Sequence, residues 1–159
     1  MSSVLISSVD KTVRGIRRQM KSRSYRAANE LRKAALDVLE GQRSGRVYKK
    51  PGTHGKTPSK ATRKLKKEYG HKLRGGQLYK ASAPGEPPAR RLGDLRKHWK
   101  QDAREEGGAF VAEIESTEKY AGYLEHGTPG GKIAPRPYAD RIREKAAPAI
   151  QRIYKEPYV

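Results

Sequence analysis

The side chains able to do chemistry in this chain are few and far apart. Cysteine is absent, which excludes disulfides and thiolate metal sites, and no zinc-protease, nucleophile-elbow or phosphate-loop motif occurs. The scattered histidines are His54, His71, His98 and His126. His126 follows Glu125 in a glycine-bounded turn, where the pair could act in general acid–base catalysis. Adjacent residues on a strand point to opposite faces, however, and the pair is then poorly placed to share a proton. We predict no catalytic residues, no metal and no cofactor.

The stretch YAGYLEHGTPGGKIAPRPY, residues 120 to 138, is typical of a preformed contact surface. Gly127 and the pair Gly130 and Gly131 permit positive backbone angles, and prolines stiffen the approach to the last helix. A stiff segment loses little entropy on binding. We therefore predict that this stretch docks on another subunit or protein. The predicted interface residues are Tyr120, Tyr123, Glu125, His126, Gly127, Thr128, Pro135, Arg136, Pro137 and Tyr138.

The positive charge is concentrated in one segment. Residues 43 to 75 hold 12 Lys and Arg against 1 acidic residue, a net +11 out of the formal +19. Residues 51 to 76 are too rich in Gly, Pro, Ser, Thr and Lys to offset the entropy of ordering, and we predict a flexible basic loop with a helical turn near residues 61 to 69. Its cations would face either DNA phosphates, with Tyr69 available to stack on a base, or an acidic protein. The predicted contact residues are Arg63, Lys64, Lys66, Lys67, Lys72 and Arg74.

The composition predicts a small core. Apolar residues make up 34% of the chain, against roughly 45 to 50% in an ordinary globular protein. Such a chain either stays partly unpacked or borrows burial from neighbouring subunits, and we favour borrowing. A length of 159 residues fits a single domain. No window approaches a membrane span, and the apolar start at residues 4 to 6 is too short for a signal-peptide core. We expect the protein to be made and used in a cytoplasm, unless it is exported inside a larger particle.

Helices are predicted at both ends of the chain. Apolar residues recur at helical spacing from Val9 to Val38, with Ser8 or Asp10 as the N-cap, Gly41 as a left-handed end, and room for a break at residues 22 to 24. Tyr25 and other residues widen the stripe in the second half, which should pack on the core. The last helix should start near Pro137 and kink or break at Pro148. Its apolar positions are Tyr138, Ile142, Ala146, Ala149 and Ile153.

Short strands are predicted between these helices. Residues 45 to 50 and 77 to 82 could pair, which would make the basic segment a hairpin tip. Residues 109 to 116 alternate cleanly and form the clearest strand. A short helix is expected at residues 94 to 100, capped by Asp94, with Trp99 as a core or interface anchor. The predicted class is α+β: a helical region at 1–42, the basic loop at 51–76 between strands, and a small, mostly antiparallel sheet with the docking segment and last helix at 77–159.

Two motifs in sequence order resemble the tail-completion, or neck, family of tailed double-stranded DNA bacteriophages. The family pattern is P-G-x-P-P followed by G-x-L-R, and then Y-A, E-x-G-T and P-x-P with an aromatic residue. The first motif is carried by Pro84, Gly85, Pro87, Pro88, Gly93, Leu95 and Arg96. The second is carried by Tyr120, Ala121, Glu125, Gly127, Thr128, Pro135, Pro137 and Tyr138. The resemblance covers roughly residues 78 to 155.

The resemblance implies a non-enzymatic virion subunit at the joint between head and tail. Its members would form a ring, expected to be hexameric, that contacts the head connector and the tail-tube or tail-terminator protein and surrounds the DNA channel. Two other hypotheses stay open. The charge and the tyrosines also suit an RNA-binding or ribosome-associated protein. A basic nuclease or toxin would use His126 and Glu125.

Overall fold

The computed structural model describes residues 2–41, 43–69 and 75–158, apart from the side chains of residues 2–4. The helices are α1 (Ser2–Val38), α2 (Lys60–Tyr69), α3 (Asp94–Lys97), α4 (Ala121–His126) and α5 (Ala139–Tyr154). The strands are β1 (Val47–Lys49), β2 (Leu78–Lys80), β3 (Trp99–Glu106) and β4 (Ala109–Ser116). The α+β class is confirmed, although the strands form two separate two-stranded sheets instead of one. Among the described helices, none is long and apolar enough to cross a bilayer.

Helix α1 is longer at its start than its sequence pattern predicts. It begins at Ser2, so Ser8 is no cap and its hydroxyl donates to the carbonyl of Leu5 inside the helix. The expected break at residues 22 to 24 is absent, because Ser24 is fully buried with its hydroxyl 3.2 Å from that of Tyr154. Gly41 does not end the helix in a left-handed conformation. The Arg43 guanidinium instead donates to the carbonyl of Val38 at 2.8 Å.

The chain divides into two compact units. Unit 1 comprises residues 1–34, 99–115 and 142–159, and unit 2 comprises residues 35–98 and 116–141. The sequence-based expectation of one domain stays a prediction. The second half of α1 is buried, as its wider stripe predicts, through Ala27, Ala28, Ala34 and Ala35, and Leu39, just after the helix, is buried as well. Tyr25 is 53% exposed, contrary to the expected stripe, and accepts a hydrogen bond from Gln101 at 3.3 Å.

Unit 1 contains the β3–β4 hairpin, which turns at Gly107 and Gly108 with φ of 58° and 80°. Strand β4 is confirmed at the predicted residues. Strand β3 is not predicted: the short helix expected to reach residue 100 ends at Lys97, and Trp99 opens the strand. Asp94 does not cap that helix with its side chain.

Helix α5 begins at Ala139, two residues after the predicted start, and runs through Pro148 without a break. Its predicted apolar face is confirmed, with Ile142, Ala146 and Ile153 buried. Inside unit 1, the residues that follow the helix are tied to α1. Arg26 forms a bidentate pair with Glu156 at 2.6 Å, and Arg23 donates to the carbonyl of Pro157 at 2.7 Å.

In unit 2, β1 pairs with β2, as the sequence predicts. The pairing is antiparallel, and its register sets Tyr48 opposite Tyr79. The segment between them holds the helix α2 and is therefore not a loop throughout. The Thr62 hydroxyl is fully buried, donates to the Gln77 amide oxygen at 2.8 Å and accepts from the Leu78 amide at 3.0 Å. This network attaches α2 to β2.

Replacing Thr62 with Val should destabilise unit 2. The two side chains are nearly isosteric, so the main loss is a buried acceptor for the Leu78 amide and a donor for Gln77, which costs about 1–3 kcal/mol. Urea denaturation followed by circular dichroism measures it. Thr57→Val, at an exposed residue, is the matched control and should stay within about 0.5 kcal/mol of the unmodified chain. Equal stabilities for the two variants would contradict the role assigned to Thr62.

Candidate functional site

Unit 2 has an open groove of about 590 Å³. One segment of its wall comes from Leu39, just after α1, and from residues 88 to 96, and another comes from α4 and the turn that follows it. The larger apolar side chains of the lining are Leu39, Tyr79, Leu92, Leu95, Tyr120, Tyr123, Leu124 and Ile133. The charged lining consists of Arg90, Arg91, Asp94, Arg96 and Arg136. This combination of a mostly apolar surface and a few charged groups is typical of a surface that binds another protein.

The docking stretch forms one wall through a short helix and a closed turn. Glu125 and His126 lie in α4, so the sequence-based assignment of this pair to a turn is wrong. After α4, the Thr128 amide donates to the Ile133 carbonyl at 3.2 Å. The Ile133 amide donates to the Thr128 hydroxyl at 3.0 Å. These two bonds close the turn and leave Ile133 partly exposed at the groove.

Gly127 is required where α4 meets this turn. Its backbone lies at φ 81° and ψ 179°, a region of backbone angles that is strongly unfavourable for every residue except glycine. A Cβ at this position would lie 2.9 Å from the Ile133 carbonyl oxygen and 3.1 Å from the Pro135 ring. The turn therefore depends on glycine both for its backbone angle and for the close approach of Ile133.

Glu125 supports the start of α5. Its carboxylate accepts from the amides of Tyr138 at 2.8 Å and Ala139 at 3.2 Å, which are among the helix-terminal donors that lack intrahelical partners. The Glu125 carboxylate therefore caps α5, and an acid–base pair with His126 was only the alternative weighed from the sequence. His126 itself is exposed in the last turn of α4.

Tyr138 is an internal anchor. It is only 5% exposed, and its hydroxyl donates to the Ala121 carbonyl at 3.0 Å. Burial, together with the nearby Glu125 carboxylate, raises the pKa of Tyr138 to about 12. The prediction that Tyr138 is presented to a partner is therefore corrected, because its ring is already covered within unit 2.

Arg136 joins the two sequence motifs. Its guanidinium donates to the carbonyl and hydroxyl of Ser82 and to the Ala83 carbonyl, while its backbone amide donates to the Leu124 carbonyl at 2.8 Å. In the same region the Gly85 amide donates to the Pro135 carbonyl at 3.2 Å. The proline-rich segment after β2 is thus fixed against the docking stretch.

The proline-rich segment is in turn fixed to the chain after α1. Glu86 accepts from the Ser44 hydroxyl and amide and from the Ala83 amide, and these hydrogen bonds lower the pKa of Glu86 to about 2. Arg43 donates to the Pro88 carbonyl at 2.9 Å, and burial lowers its pKa.

Two of the arginines that line the groove are already paired. Glu40 accepts from Arg90 and Arg96, each at 2.7 Å. Arg96 also donates to the Leu36 carbonyl at 3.1 Å. The positive charge along this wall is therefore partly neutralised within the subunit.

The residues exposed at the groove are largely aromatic and aliphatic. Tyr123 is 55% exposed and Leu92 is 59% exposed, and Tyr120 and Ile133 are also open to solvent. Burial raises the pKa of Tyr120. The sequence analysis identified both tyrosines but not Leu92 or Ile133. The sequence feature that could have identified Leu92 and Ile133 is a large aliphatic residue isolated among charged, glycine and other small residues. Of the other predicted interface residues, Pro135 is exposed, and Thr128, Arg136 and Pro137 are half-buried.

The predicted basic contacts fall mainly on α2, which carries Arg63, Lys64, Lys66 and Lys67. Lys72, Arg74 and His71 lie outside the described residues. Tyr69 accepts from the Lys80 ammonium, which lies 5.0 Å from the centre of the tyrosine ring. Over residues 2–41, 43–69 and 75–158, no group of three or more His, Asp or Glu is placed to hold a metal.

Gly127→Ala should cost about 3 kcal/mol or more, because backbone strain of about 1–3 kcal/mol adds to the clash with Ile133. The control is Gly131→Ala, which has φ 71° but open space around its Cβ and should cost about 1–2 kcal/mol. Thermal and urea denaturation of both variants measure the difference. Equal losses would show that the close approach of Ile133 is unimportant.

Glu125→Ala should destabilise the chain by about 1–2 kcal/mol, since it removes the acceptor at the start of α5. Glu144→Ala, at an exposed residue inside the same helix, should change the unfolding free energy by under about 0.5 kcal/mol. Urea denaturation at neutral pH measures both. A silent Glu125 variant would contradict the capping role.

Comparison with known proteins gives one family. A family model described as "Bacteriophage HK97-gp10, putative tail-component" matches residues 4–127. The match includes the proline-rich motif and the groove wall built from α4, whereas Pro135, Pro137 and Tyr138 lie beyond its end. No curated protein and no solved structure matches the chain. Because the matched stretch covers well over half of its length, this chain belongs to the HK97-gp10-like family of bacteriophage tail components.

Proposed function

We propose that this chain is a structural subunit of the phage neck, where copies of it form a closed ring around the DNA channel and join the completed tail to the head connector. Membership of a tail-component family supports a structural role in the virion. The observation that carries the proposal is the amount of apolar surface that a single copy leaves uncovered, on α1 and in the groove.

The first uncovered surface is the N-terminal apolar stripe, defined as Leu5, Ile6, Val9, Val13 and Ile16. These residues share one side of α1 at helical spacing, and their exposed fractions run from 69% at Leu5 to 36% at Ile16. A row of large aliphatic side chains on a helix is the usual partner of an apolar groove, where residues at i, i+4 and i+7 insert as anchors. The N-terminal apolar stripe would therefore be stabilised by burial against another protein surface.

The second uncovered surface is the groove of unit 2, with Leu92, Tyr123 and Ile133 exposed along it. We propose that the stripe of one copy enters the groove of the next. Stripe and groove are different surfaces of one chain, so the contact is head-to-tail, and a head-to-tail contact forms a ring where the rotation between successive copies closes. The pairing of Glu40 with Arg90 and Arg96 reduces the charge that the apolar helix would meet.

In the complete neck, this ring would contact the head connector on one side and the tail-tube or tail-terminator protein on the other. The family resemblance supports a six-fold ring, assembled in the host cytoplasm and retained in the virion. Among the predicted interface residues, Tyr120, Tyr123, His126 and Pro135 are exposed in a single copy and would supply contacts in this ring. We propose no catalytic role.

An RNA-binding or ribosome-associated role is the second candidate. It is favoured by the basic segment and by the exposure of Tyr48 and Tyr69 in the same region. RNA that copurifies with the chain and is released steeply by salt, without any ring or binding to tails, would favour this role over the neck.

Mixing two interface variants tests the head-to-tail ring. Val9→Asp with Val13→Asp should disable the stripe, and Leu92→Asp with Ile133→Asp should disable the groove. Each variant should still fold, because the replaced side chains are exposed in a single copy. Each variant alone should remain monomeric, because one of the two surfaces of the contact is disabled in every copy. A mixture of the two should form dimers and nothing larger, since one intact stripe can meet one intact groove. Analytical ultracentrifugation measures the masses.

The control is Ser7→Asp with Ser22→Asp, which adds the same charge on the opposite, exposed side of α1 and should assemble like the unmodified chain. The unmodified chain should form closed oligomers, alone or on addition of purified tails. A chain that stays monomeric and never binds tails would contradict the proposed function, and rings formed by either interface variant would contradict the stripe-in-groove contact.

A further inference from the structure

We propose that the outward face of α2 is a binding site for the phosphate backbone of double-stranded DNA, without sequence preference. This basic face is defined as Lys60, Arg63, Lys64 and Lys67. The inference goes beyond the proposed ring and does not depend on it, because one copy of the chain carries the whole site.

The four cations lie on one side of the helix. Their spacing is i, i+3, i+4 and i+7, which places them on one face, and all four are exposed. Lys66, which the sequence analysis had included, lies off this face and is half-buried, whereas Lys60 had been left out. The position of the helix therefore places Lys60 in the basic face and Lys66 outside it.

The opposite side of α2 is attached to the sheet, so the basic face is held in place. Thr62 is buried and bonded to Gln77 and to the Leu78 amide. The Gln77 side chain also accepts from the Ser59 amide at 3.0 Å and donates to the Thr57 carbonyl. A helix mounted in this way presents its charges with little further loss of conformational freedom on binding.

The charges of the basic face are not neutralised by the described part of the chain. Acidic partners are found for Arg26, Arg90, Arg96 and Arg104, but no ion pair joins the basic face to any acidic residue among residues 2–41, 43–69 and 75–158. Like charges at i, i+3 and i+4 repel one another and weaken a helix. An anionic ligand would relieve that repulsion.

The dimensions of the basic face suit a nucleic-acid strand. From Lys60 to Lys67 the basic face is about 10 Å long, and each strand of B-DNA advances about 3.4 Å along the duplex axis per phosphate, so the face spans about three phosphates of one strand. Contacts from Lys and Arg to phosphates position a protein but carry no sequence information. The face has no apolar anchor of the kind that protein interfaces place at their centre, which favours DNA over an acidic protein.

The salt dependence of DNA binding tests this site. The test variant combines Lys60→Gln, Arg63→Gln, Lys64→Gln and Lys67→Gln, and glutamine keeps a good helix propensity. The matched control combines Lys33→Gln, Lys100→Gln, Lys119→Gln and Lys155→Gln, which are exposed and lie elsewhere along the chain. Both lower the formal charge by the same amount. Fluorescence anisotropy with a short labelled duplex of arbitrary sequence gives the binding constant over a series of salt concentrations, and ultracentrifugation gives the oligomeric state of each variant.

The slope of log K against log salt should fall in magnitude by about 2.7 to 3.6 in the test variant, at about 0.9 for each of three or four phosphate contacts, and by less than about 1 in the control. Equal changes in the two variants would overturn the site and show that only net charge matters. Absence of duplex binding at low salt, with binding to polyglutamate or to anionic lipid vesicles, would also overturn it. A test variant that assembles normally but loses DNA would leave the proposed ring intact.

Discussion

The small size of the buried side chains is the constraint on which the rest of this structure depends. Among the described residues, the buried apolar set contains six alanines: Ala27, Ala28, Ala34, Ala35, Ala121 and Ala146. Larger side chains such as Leu5, Leu92 and Tyr123 remain exposed. Because apolar burial is the main favourable contribution to folding, a core built this way leaves stability to be gained by covering those side chains on assembly.

Polar contacts replace core packing in positioning the groove. Glu125 fixes α4 to the start of α5, Arg136 fixes the docking turn to the segment after β2, and Glu86 fixes that segment to the residues after α1. Each contact joins a side chain to a backbone group 13, 53 or 42 residues away in sequence, respectively. The exposed side chains of the groove are therefore held in place before any partner arrives, which favours a docking surface over a segment that folds on binding.

Local periodicity explains which elements the sequence predicts. Strand β4 and helix α5 carry clear apolar repeats, and both are found where expected. The half-buried positions of β3 are Trp99, Gln101 and Ala103, whose alternation is too weakly apolar to recognise. The tyrosines and glycines predict a docking stretch but not the groove, the burial of Tyr138 depends on the Ala121 carbonyl, and the anchoring of α2 depends on Gln77. Such long-range partners cannot be identified from local pattern.

The most direct test of this account is solvent accessibility in the assembled particle. Hydroxyl-radical footprinting read by mass spectrometry would compare the free subunit with intact virions at the N-terminal apolar stripe and at Tyr123 and Leu92. The account predicts strong labelling of these residues in the free subunit and protection in the virion, with Tyr138 protected in both. Equal labelling of the stripe and the groove in the two states would contradict the claim that neighbouring chains complete this core.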